Sequence, residues 1–170
     1  FTCTSPPNTG ILIDDIRIAP ARPQKIVNVE VAPFTLPALV GAQASSLVRL
    51  KIETTGILDP VSVTELRAKI TGAGHIESLD LAVGESGTSV SLAMPAESTS
   101  AANWKFAPVK LDEEENTFWI KCRVKMDANI DQQVGAAIQQ VTFSNGQTVK
   151  LDSPASLQRM GVAVRNGGDD

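Results

Sequence analysis

The sequence predicts an all-β fold, an antiparallel β-sandwich of jelly-roll or immunoglobulin-like type. Two patterns carry that reading: apolar residues recur with a period of two along most of the chain, and turn residues separate these runs at short spacing. Size is the third observation. At 170 residues the chain is expected to be one domain, or one domain with extensions at its ends, since domains run to roughly 100–200 residues. Its 42% of apolar residues is enough for a core, and 12 Gly with 10 Pro exclude wholesale disorder or a collagen-like repeat.

From the N-terminus, Phe1 to Gly10 is polar and proline-rich. Ile11-Leu12-Ile13-Asp14-Asp15-Ile16-Arg17-Ile18 then reads as an isolated strand, because Pro20 and Pro23 break the chain after it. This strand is either an edge strand of the same domain or the last strand of a preceding module. Its Ile-Asp-Asp-Ile-Arg-Ile run resembles the closing strand of many sugar-binding sandwiches. Residues 1–23 are accordingly read as an extension, 24–153 as the sandwich and 154–170 as a connector.

Within the sandwich, Lys25 to Val31 alternates, as does Leu47 to Glu53, where Val48, Leu50 and Ile52 share one face and Arg49, Lys51 and Glu53 the other. Between Val61 and Ile70 the apolar phase switches between Val63 and Leu66, which predicts a bulge or a strand changing sheets. Ser78 to Val83 alternates again. In Phe118 to Met126 the alternation is clearest: Phe118, Ile120, Cys122, Val124 and Met126 are expected inside, with Trp119, Lys121, Arg123 and Lys125 outside. Val134-Gly135-Ala136-Ala137-Ile138 suits helix or strand by composition, and Gly135 with the hairpin that follows favours strand. Asn145-Gly146 tolerates positive φ at both central positions, so Thr142 to Val149 reads as a type I′ hairpin. The end, Asn166-Gly167-Gly168-Asp169-Asp170, is glycine-rich and acidic.

Composition narrows function. The net charge is −4 with no Lys/Arg stripe, which argues against a nucleic-acid binder. No apolar run approaches the ~18–20 residues needed to span a bilayer, and the start lacks basic and apolar leader regions, so any secretory leader is expected outside this chain. There is no tyrosine, one histidine and two cysteines. His75 alone makes no His-rich metal site, and no C-x-x-C spacing is present. Cys122 lies in an apolar alternation that suits a buried inert thiol; the alternative is a Cys3–Cys122 disulfide. The Asp112-Glu113-Glu114-Glu115 run lacks the spacing of a calcium loop and reads as a solvated turn. No metal or cofactor is therefore expected.

In the C-terminal third, Asn116-Thr117-Phe118-Trp119-Ile120, the hairpin ending in Val149-Lys150-Leu151, and Arg159-Met160-Gly161-Val162-Ala163-Val164-Arg165 before Gly168-Asp169-Asp170 resemble the N-terminal domain of Bacteroides-type bacterial neuraminidases, or exo-α-sialidases. The resemblance extends from about Gln24 to Asp170; its specific parts are Arg-Met-Gly-Val and Asn-x-Phe-Trp. It implies that residues 154–170 lead into a catalytic six-bladed propeller, that the parent protein is a sialidase acting on sialylated glycans, and that the protein is secreted, periplasmic or at the cell surface. The family's catalytic features are missing here. Sialidases use a Tyr nucleophile, and this chain has none. It also lacks the Arg-Ile-Pro segment and the Asp box, for which Ser78 and Asp80 make a start but Ala82, Gly84 and Glu85 stand in the Gly, Thr and Trp positions. No catalytic residue is assigned.

Sugar recognition pairs an exposed aromatic plate with polar groups for hydroxyls and carboxylates. Trp119, beside Lys121, Arg123 and Lys125, suits a carboxylated sugar; it equally suits a cover for the outer sheet face or a contact with the following propeller. Trp104, after a Ser/Ala-rich loop, is the second candidate plate, at the sandwich rim; it also reads as a strand-edge core residue with Phe106 outside. The carbohydrate-binding candidates are thus Trp119, Arg123, Lys121 and Trp104.

Overall fold

A computed structural model describes residues 21–84, 89–95, 101–152 and 156–162. In chain order the strands are β1 (Lys25–Pro33), β2 (Ala38–Val40), β3 (Ser45–Thr55), β4 (Ser62–Thr71), β5 (Ile76–Val83), β6 (Ser89–Leu92), β7 (Ala101–Lys110), β8 (Glu114–Val124), β9 (Gln133–Phe143), β10 (Thr148–Lys150) and β11 (Ser156–Val162). Among the described residues the only helical piece is a 3-10 turn at Ala73–His75. The predicted strands at 11–18 and the segment 163–170 lie outside the described residues, as does Cys3.

Two sheets face each other. One runs β1-β3-β8-β5-β6 with antiparallel neighbours. The other runs β7-β4-β9, with β10 and the first half of β11 on the far edge of β9. β11 belongs to both: Ser156 to Arg159 pairs antiparallel with β9, and Met160 to Val162 pairs parallel with β2. β2 in turn meets β8 in parallel at Val40↔Val124. The sandwich is therefore all-β as expected but mixed, because a strand crossing the corner must pair with whichever edge lies there.

Period two places the core between the sheets. Leu50, Ile52, Leu79, Leu81, Phe118 and Ile120 come from the first sheet, facing Leu66, Ile70, Ile138, Val141 and Phe143 from the second, all fully or almost fully buried. Each such side chain contributes about 1.5–3 kcal/mol by leaving water. The ambiguous Val134-to-Ile138 run is strand, buried on both sides within β9.

Bulges explain where simple alternation fails. The expected phase switch in β4 is a register shift between Val63 and Glu65, seen against both β7 and β9, which lets Val63 and Leu66 both point inward. A shift between Ser46 and Val48 in β3 turns the adjacent Leu47 and Val48 both inward. In β1 the shift falls between Ile26 and Asn28, so Val27 bulges out and is 63% exposed while Ile26, Val29 and Val31 pack on the core.

Two local expectations are corrected. Met126 is 79% exposed, because β8 ends at Val124 and the chain turns away before the alternation reaches it. The 142–149 hairpin is not type I′: only Gly146 has positive φ, 82°. Gly146 N donates to the Phe143 carbonyl at 3.0 Å and Phe143 N to the Gln147 carbonyl at 2.9 Å, a three-residue loop with one left-handed glycine. The Asn145 carboxamide oxygen accepts from Gln147 N at 2.9 Å, which holds Asn145 at negative φ.

Candidate functional site

The outer face of the first sheet carries the candidate residues. Because directly opposed residues point to the same face, register aligns Arg49 on β3, Trp119 on β8 and Ala82 on β5 in one row. The next row down β8 sets Lys121 between Ser46 and Asp80, and Arg123 lies opposite Ser78. Trp119 is half-buried. The Arg49 guanidinium carbon lies 5.6 Å from its ring centroid, a cation–π contact. Phe34 also meets the indole, in an edge-to-face contact with centroids 5.7 Å apart and planes at 80°.

Phe34 is held by its backbone. Its N–H donates to the Leu47 carbonyl at 3.4 Å, and its carbonyl accepts from the Gln158 side-chain amide at 3.0 Å. Gln158 is 2% exposed and also donates to the carbonyls of Ser46 at 2.8 Å and Leu47 at 3.3 Å, at the β3 bulge. A polar side chain on the sheet-switching strand thus fixes the segment under the indole. Beside it opens a hollow of about 310 Å³, lined by Ala32, Pro33, Phe34, Thr35, Leu36 and Arg49.

Charge is unevenly shared on this face. Lys51 contacts Glu115 at 2.8 Å and Glu53 at 3.3 Å. Hydrogen bonding to Glu115, then Glu53, holds the Lys51 amine above its usual range, and the same Lys51 contact holds the Glu115 carboxyl below its own. These groups are solvated, so the pairs add little stability. Their consequence is directional: the end of the face where β3 finishes and β8 begins is neutralised, while Arg49, Lys121 and Arg123 have no ion pair among the described residues.

Arg123 sits apart from the indole. Its Nε donates to the Gln43 carbonyl at 3.3 Å, and it lines a second hollow of about 440 Å³ with Gln43, Glu77 and Met126. Lys125 donates to the Gly74 carbonyl at 2.7 Å. Trp104 is not an exposed plate. It is 6% exposed, and its indole N–H donates to the Ala93 carbonyl at 2.7 Å. Register explains this: Trp104 lies opposite Leu66, which points into the core. Phe106 is half-buried against the same core.

The remaining chemistry-bearing groups have structural settings. Cys122 is a free thiol, 1% exposed, pushed up to about 12 by burial. Of the 112–115 run only Asp112 and Glu113 lie in the turn, while Glu114 and Glu115 already belong to β8; Asn116 closes the turn, its side chain accepting from Asp112 N at 2.7 Å and donating to the Asp112 carbonyl at 2.9 Å. The His75 carbonyl accepts from Lys125 N at 2.9 Å. Among the described residues no group of three or more His, Cys, Asp or Glu is placed to hold a metal ion, and no helix is long and apolar enough to cross a membrane.

Arg49 and Phe34 were not singled out by sequence. Arg49 shows only as one polar-face residue of its strand, and its partnership with Trp119 depends on a register between segments 70 residues apart.

No protein-family model and no curated protein matches the sequence. Among solved structures, one described as "Hadza microbial sialidase Hz136" matches with a TM-score of 0.56 at 16% identity, over 78% of this chain and 31% of that chain. This chain therefore spans about a third of the length of that sialidase, and what the two share is the fold of the matched part.

Proposed function

We propose that this sandwich is the non-catalytic N-terminal domain of a Bacteroides-type bacterial sialidase, acting as a carbohydrate-binding module beside a catalytic propeller that follows residue 170. The observation that carries the binding role is the outer-face pairing of Trp119 with Arg49, with Lys121 in the next row of the same face. The fold likeness to a microbial sialidase supports the setting. Such an enzyme meets its glycans outside the cytoplasm, so the protein is secreted, periplasmic or at the cell surface. Tethering the enzyme to dense sialylated glycans would raise the effective concentration of substrate at the propeller.

An open, shallow site competes with water for every hydrogen bond. A single glycan should then bind at roughly 0.1–1 mM, equivalent to about −4 to −5.5 kcal/mol. The test is NMR shift mapping with sialyllactose on the wild type and Trp119→Ala. Shifts centred on β3 and β8 that vanish in the variant support the reading, and none at millimolar ligand overturns it. Having no tyrosine, the isolated chain should leave a fluorogenic sialoside intact, and turnover by clean protein would refute the non-catalytic assignment.

A second reading, a purely structural or adhesin-like sandwich, is favoured by one feature. Leu36, 62% exposed, and Leu39, 37% exposed, flank Pro37 beside Gly161 on β11, an apolar surface suited to packing against another module.

A further inference from the structure

We propose that Arg49 is the residue that reads a sugar carboxylate, in the hollow it lines with the Ala32-to-Leu36 segment, next to the Trp119 indole that both Arg49 and Phe34 contact. This rests on the carbohydrate-binding reading above and gives that surface a defined subsite and ligand class: a glycan ending in a carboxylate-bearing monosaccharide.

The first ground is orientation. The Arg49 guanidinium carbon lies over the indole at 5.6 Å from its centroid, within cation–π range, and its five N–H donors form a planar fork that can give two of them to a carboxylate. The second is availability. Lys51 makes the ion pairs with both Glu53 and Glu115, so Arg49 feels Glu115 only at longer range and has no ion pair among the described residues.

The third ground is shape. The hollow measures about 310 Å³, at the lower end of the roughly 300–1,000 Å³ of small-molecule sites, which suits one sugar unit. Pro33, Phe34 and Leu36 present carbon to a sugar's apolar face, and Thr35 adds a hydroxyl. The fourth is rigidity. Phe34 is tied to Leu47 on β3 and to buried Gln158 on β11, so the wall is formed before ligand arrives. Arg123 also lacks an ion pair among the described residues, but no ring contact orients it, its Nε is given to the Gln43 carbonyl, and it lines the other hollow.

The experiment is titration of sialyllactose and of lactose, followed by NMR shifts, on wild type, R49A, R49K and R123A, with amide dispersion checking the fold of each. R49A should weaken sialyllactose about tenfold or more and leave lactose unchanged. R49K, which keeps the charge but loses the planar fork, should fall between, and remains informative if R49A unfolds. R123A should stay within about twofold of wild type, the range expected of a rim charge. Unchanged sialyllactose binding by R49A, an equal loss of lactose, or a loss confined to R123A would each overturn the Arg49 assignment while leaving carbohydrate binding intact. Wild type binding neither sugar would overturn the carbohydrate reading itself and this assignment with it.

Discussion

Replacing Gln158 with methionine keeps the length of the side chain and deletes its amide, which tests how β11 is held across both sheets. The amide has two protons and serves the carbonyls of Phe34, Ser46 and Leu47 at 3.0, 2.8 and 3.3 Å. Stripping two buried carbonyls of their donor costs about 1–3 kcal/mol each. One gain offsets this. The Gln158 Oε1 is buried with no hydrogen-bond partner among the described residues, and removing it returns about 1–3 kcal/mol. The net loss should be about 1–3 kcal/mol, or a fall in Tm of roughly 3–10 °C for a chain of this size.

Gln158→Glu sharpens the test. Its carboxylate would face carbonyl oxygens in a buried site, so the folded state favours the protonated acid and raises its pKa above the usual ~4.3. With the folded pKa raised, the stability of this variant is full below about pH 4 and is lost as pH rises through the folded pKa. Thermal melts followed by circular dichroism from pH 4 to 8 should show Q158E approaching Q158M at low pH and falling below it at neutral pH. An unchanged or raised Tm for Q158M, or a pH-independent Q158E, would refute the claim that this amide ties the sheets together.

Gly72→Ala and Gly146→Ala share the strain of positive φ, at 71° and 82°, worth about 1 kcal/mol for a non-glycine residue. At Gly146 a Cβ meets open space, whereas at Gly72 it runs into the Gln133 carbonyl, so urea melts should show Gly72→Ala distinctly the more damaging. Cys122 should resist iodoacetamide at pH 8 until the protein unfolds, read by mass spectrometry of its peptide, because burial keeps the thiol protonated with a pKa of about 12. Its stability contribution is full below the unfolded value near 8.5 and is lost as pH climbs towards 12. Glu115→Gln should leave Tm unchanged within error, since the Lys51–Glu115 pair at 2.8 Å is solvent-exposed.

Local signals were legible in the residues. Val48, Leu50 and Ile52, or Phe118, Ile120, Cys122 and Val124, announce strands because side-chain direction alternates within a single segment. The phase switch between Val63 and Leu66 announced a bulge for the same reason. Val27 and Met126 escaped that logic, as a bulge and a strand end are set by the partner strand rather than by the run itself. The two tryptophans show the limit most clearly: both sit in alternating strands, yet Trp104 is buried opposite Leu66 and Trp119 faces outward opposite Arg49.

By itself, then, the sequence determined the all-β class, most strands, the absence of a tyrosine nucleophile and the outward face of Trp119. Tertiary structure alone decided that Arg49 and Phe34 flank that indole, that Arg123 turns to Gln43, and that β11 crosses between sheets with Gln158 buried at the crossing. The physical reason is range. Alternation and turn chemistry act between near neighbours, whereas a binding surface is made by register between strands far apart in the chain, and register follows from how the whole core packs.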